Sequence, residues 1–89
     1  MDKDRRLALL EEIGVQLCKM DAQNGARRLA GQPPHSRNLD CLEVAFQDAA
    51  GHEVGRLGLD RAIHSLAGDI YLFEDFDLTE AASGTIETI

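Results

Sequence analysis

Apolar residues recur at spacings of three and four from the start of the chain. Leu7, Leu10, Ile13 or Gly14, Leu17 and Met20 form one stripe, widened by Leu9 and Val15. That period predicts an amphipathic helix from Asp2 to about Asn24, with Arg5, Glu12, Gln16 and Lys19 mostly on its other side. Asp2 and Asp4 sit where a helix start favours negative charge, and Lys19 lies near the far end. Asn24-Gly25 is a stop signal, and residues 26–30 have room for one more turn before Gly31-Gln-Pro-Pro34 ends any helix. Gly14 in mid-helix costs about 1 kcal/mol relative to Ala. Close approach of another backbone, either the sheet or a second copy of this helix, would account for it, so Gly14 and Leu17 are candidate packing or dimer contacts.

From residue 39 the period changes to two. Leu42, Val44 and Phe46 point one way while Cys41, Glu43, Ala45 and Gln47 point the other, which predicts a strand. Asp48-Ala-Ala-Gly51-His52 reads as a turn with a glycine for positive φ. A second strand follows over Glu53–Leu59, where Leu57 and Leu59 share a face and Gly55 and Gly58 mark a bulge or a close crossing. Asp60 is the expected N-cap of a short helix, Arg61–Ala67, with Ile63 and Leu66 inward and Gly68 as its stop. The run Ile70-Tyr71-Leu72-Phe73 predicts a third strand from Asp69 to about Phe76. Beyond Leu78 the chain is small and polar, expected to be a flexible tail or an edge strand at Thr85–Ile89.

These elements give an α+β fold of order α-β-β-α-β, an N-terminal amphipathic helix packed on a small three-stranded sheet. With 89 residues the chain is expected to be one domain. Residues 1–30 are its helical part, 31–38 a stiff connector, 39–78 hairpin, helix and strand, and 79–89 the tail. Only Tyr71, Phe46, Phe73 and Phe76 are aromatic, so Leu and Ile must supply most of the core.

Charge sharpens this picture. The net charge is −7. Residues 1–37 carry Lys3, Arg5, Arg6, Lys19, Arg27, Arg28 and Arg37 against five acids, a balance of +2. Residues 38–89 carry only Arg56 and Arg61 against eleven acids, a balance of −9. An acidic sheet half repels phosphate backbones, which argues against direct nucleic-acid binding. No run approaches a membrane span and no secretory leader is expected, so cytoplasmic residence with Cys18 and Cys41 reduced is the expectation.

Candidate chemistry is sparse. His35, His52 and His64, even with Cys41, Asp60 and Asp69, have no recognised metal-ligand spacing, so no metal is expected. Ser36 beside His35 and Ser65 beside His64 are sequence neighbours, which is not the geometry of a nucleophile and its base. Gly51, Gly55 and Gly58 fall in a hairpin, not at a helix start where phosphate is held. No catalytic residue and no cofactor is expected. Glu74, Asp75 and Asp77 after the apolar run form a carboxylate cluster without calcium-loop spacing. Tyr71, Phe73, Glu74, Asp75 and Asp77 are therefore the candidate partner-binding residues.

The pattern points to a non-enzymatic protein-interaction or regulatory module, a homodimer that offers an acidic sheet face to a protein partner. Two other classes stay open. One is an inhibitor of a basic nucleic-acid-processing protein that imitates nucleic acid with its carboxylates. The other is a small ligand-binding protein or enzyme with a dimer-interface pocket near His64, Asp69 and Tyr71.

Overall fold

The computed structural model describes residues 1–34, 41–68, 70 and 77–89. Helix α1 spans Lys3–Leu29. Asp2 caps it, its carboxylate accepting the Arg5 N–H at 2.8 Å. The helix runs through Asn24-Gly25 without stopping, one turn past the expected end. Gly31, at φ 73°, closes it instead. There the Gly31 N–H donates to the Arg28 carbonyl at 3.1 Å and the Gln32 N–H to Arg27 at 2.9 Å, the paired bonds of a Schellman cap. Arg27 Nε also donates to the Pro33 carbonyl at 2.8 Å, tying the exit to the last turn. A defined terminator two turns on thus outweighs the weak helix propensity of Asn24 and Gly25.

Strands β1 (Leu42–Gln47) and β2 (Glu53–Gly58) form the expected hairpin. In its turn, Asp48 Oδ1 accepts the N–H groups of Ala50 and His52, both at 2.9 Å, and Gly51 sits at φ 85°. Helix α2 (Leu59–Gly68) starts directly at the end of β2. Asp60 is therefore in its first turn rather than at its N-cap, where its charge still suits the helix dipole.

The third strand, β3, is Ser83–Thr88. Of the two expectations for the C-terminal stretch, the edge strand is the one found. The strand expected at Asp69–Phe76 lies outside the described residues except for Ile70, whose N–H donates to the Ser65 carbonyl at 3.1 Å at the end of α2. The sheet order is β2-β1-β3, with both outer strands antiparallel to β1. β2 and β3 therefore run parallel to each other, and α2 lies in the crossover such a pair requires. A short 3-10 turn, Leu78–Glu80, leads into β3.

Both helices cover one sheet face. Leu42, Val44 and Phe46 of β1 and Leu57 of β2 meet Leu9 and Ile13 of α1. Leu59, Ala62 and Leu66 of α2, with Leu78 and Ala81, complete the core. Helix α1, about 40 Å long at 1.5 Å per residue, spans most of the 45 Å long axis of the molecule. Its buried residues are Leu9 and Ile13 only. The described chain contains no helix long and apolar enough to cross a membrane.

Candidate functional site: a carboxylate cluster on the outer sheet face

The sheet face turned away from the helices carries Glu43, Ala45 and Gln47 of β1, Glu53 and Arg56 of β2, and Ser83, Thr85 and Glu87 of β3. Glu53 and Arg56 are three apart and in a regular strand would point to opposite faces. A bulge prevents this. Phe46 pairs with Gly55 and Gln47 with Glu53, so Val54 has no partner in the ladder. The extra residue brings Glu53 onto the side of Arg56, and Arg56 Nε donates to Glu53 Oε1 at 2.8 Å.

Register places a second constraint on this face. Glu43 and Glu87 lie directly opposite each other on β1 and β3, an arrangement in which like charges repel. Arg56 Nη1 reaches across to both, 2.7 Å from Glu43 Oε1 and 2.6 Å from Glu87 Oε2. Position 45, on β1 between its partners Arg56 of β2 and Thr85 of β3, is an alanine that is 1 % exposed. Three carboxylates thus share one guanidinium, leaving this cluster at −2. The hydrogen bonds that Arg56 donates to Glu43 and then to Glu87 raise its already high pKa further, so it stays charged. The four side chains remain 24–48 % exposed, open to a partner and to screening by salt. Beside them, Gln47 Oε1 accepts the hydroxyls of Ser83 at 3.3 Å and Thr85 at 3.5 Å.

The expected site residues fall in different places. Tyr71, Phe73, Glu74 and Asp75 lie outside the described residues. Asp77 caps the 3-10 turn, where its Oδ1 accepts the Thr79 N–H at 2.9 Å and hydroxyl at 2.7 Å. Those bonds, the hydroxyl's first, lower its pKa. Leu17 packs half-buried against the core. Gly14 faces away from it, with nothing within 4 Å of where its Cβ would be. The sheet is therefore not the backbone that approaches Gly14.

The two described histidines, His52 and His64, do not converge on a site. His52 lies 3.9 Å from Asp48 in the hairpin turn and His64 lies 3.4 Å from Asp60 on α2, both exposed. His35 is outside the described residues, as are Asp69 and Tyr71 of the supposed interface pocket. Among the described residues no group of three or more His, Cys, Asp or Glu could hold a metal ion. A cleft of about 120 Å³ between α1 and β3 is lined by Met1, Arg5, Ala8, Leu9, Glu12, Ser83 and Gly84. Small-molecule sites begin at about 300 Å³, so this cleft is smaller than such a site.

The sequence signals for this cluster were partial. Gly55 and Gly58 pointed to a bulge or a close crossing, of which the bulge is found at Val54, and Glu43 showed as outward on β1. The role of Arg56 followed only from knowing that β3 lies beside β1. No protein-family model, curated protein or solved structure matches the chain.

Proposed function

We propose that this chain is a small cytoplasmic interaction module without catalytic activity, a homodimer that presents its outer sheet face to a basic protein partner. The observation that carries this reading is the convergence of Glu43, Glu53 and Glu87 around Arg56 on a half-exposed sheet face. One guanidinium cannot balance three carboxylates, so the surplus charge attracts Lys or Arg side chains. Their approach brings new charge-assisted bonds without breaking those of Arg56.

A Lys/Arg-rich peptide tests this reading directly. Its affinity is expected to fall steeply with salt and to drop several-fold in the Glu43→Gln/Glu87→Gln variant. Equal binding by the native chain and a folded double variant removes the sheet face from the reading. The homodimer is tested separately by mass in solution.

A further inference from the structure

We propose that the outward face of α1 docks, antiparallel, on the same face of a second copy of this chain, with Val15 on the two-fold axis. The proposal rests on the homodimer reading above and assigns its contact. Positions 4, 8, 11, 15, 19, 22 and 26 follow one another at spacings of four and three, which places them along a single seam. By helical periodicity that seam lies on the side opposite Leu9 and Ile13, the buried residues of α1. The solvent side of a helix is ordinarily polar. Here it carries Ala8, Val15, Ala22 and Ala26, flanked by Leu7 and Cys18. Val15 is 50 % and Leu7 51 % exposed, and Cys18 is exposed as well. A shallow depression runs along its middle, lined by Glu11, Gly14, Val15, Cys18, Lys19 and Ala22.

The charges on this seam select the occupant. Glu11 and Lys19 stand four positions to either side of Val15. In an antiparallel pair centred on Val15, each Glu11 opposes the Lys19 of the other copy, forming two ion pairs. A parallel pair would set Glu11 against Glu11 and Lys19 against Lys19. The same register opposes Ala8 to Ala22 and Val15 to itself. It also sets Cys18 beside the second copy's Gly14, and Leu7 beside its Gly25. At both glycines the structure leaves open space where a Cβ would be. Gly14 then has the close backbone approach that the sheet does not give it. The two Cys18 residues end up about 9 Å apart along the axis, six residues at 1.5 Å each, so this contact needs no disulfide.

The test is a charge exchange read by light scattering across a concentration series. The native chain is expected to be a dimer. Glu11→Lys and Lys19→Glu are each expected to weaken it roughly tenfold, and the double exchange to restore it to within about threefold. Within one chain the two side chains are about 12 Å apart along the helix, so restoration must arise between copies. As a second measurement, Val15→Cys in a Cys18→Ser background is expected to cross-link under mild oxidant, whereas Cys18→Ser alone is not. A dimer indifferent to the exchange, or one that Val15→Cys fails to cross-link, overturns this face while leaving the homodimer standing. A monomer at every concentration overturns both.

Discussion

Leu9 occupies the space that a side chain on Gly84 would need: its Cδ2 lies 2.8 Å from where a Cβ at residue 84 would stand. The Val44 and Phe46 side chains close in from the same face, at 3.1 and 3.5 Å. Gly84 lies opposite Phe46 in the register, so the bare backbone of β3 admits α1 to the sheet at this point. Gly84→Ala is therefore expected to destabilise, because about 1–3 kcal/mol of overpacking exceeds the modest gain of replacing a strand glycine. The helical Gly25 is the opposite case, with open space around it. Gly25→Ala is expected to stabilise by about 1 kcal/mol. Urea melts at concentrations too low for association separate the two signs.

The hairpin and both helices were legible because each buries one face with its own period, although Leu7 and Val15 of the expected α1 stripe are 51 % and 50 % exposed. Leu42, Val44 and Phe46 alternate inward as their spacing implies, and Leu57 meets them from β2. Leu42→Ala and Leu57→Ala are each expected to cost about 2–5 kcal/mol in chemical denaturation. An unchanged melt would place these side chains outside the core.

β3 was harder to read, for a physical reason. Its inward positions are Gly84, Ile86 and Thr88, so only one large apolar side chain marks the buried face. A strand that adds edge hydrogen bonds and makes room for Leu9 leaves little periodic signal, whereas Ile70–Phe73 carries a strong apolar one. The carboxylate cluster was obscured by the same gap, since Glu87 meets Glu43 only through the β1–β3 register. Removing residues 83–89 is expected to abolish cooperative unfolding. The remaining two-stranded hairpin is marginal, and the β1 edge that pairs with residues 83–88 is opened to water. A truncated chain that still melts in one sharp transition would show that β3 contributes little.

Arg56 is expected to matter through the carboxylates it holds apart. Arg56→Gln leaves Glu43 and Glu87 opposite each other with no cation between them, so the variant melts lower than the native chain. Adding Glu87→Gln removes the Glu43–Glu87 repulsion and is expected to recover part of the loss, which makes the two substitutions non-additive. Raising the salt concentration should narrow the gap between the single variant and the native chain. Additive losses that ignore salt would mean that Arg56 acts through packing of its stem instead.

Asp77 makes a prediction about pH. Its two bonds from Thr79 favour the ionised carboxylate, so its pKa is lower folded than unfolded. A group depressed in this way binds more protons in the unfolded chain. Its contribution is therefore present above the ordinary Asp value of about 3.9 and is lost as pH falls through the lower folded value. Asp77→Asn keeps an acceptor for the Thr79 N–H but has no proton to gain. Its stability is expected to fall less steeply than the native chain's on acidification below about pH 4, while lying below it at neutral pH. Parallel acid limbs for the two proteins would show that the turn before β3 does not depend on the charge of Asp77.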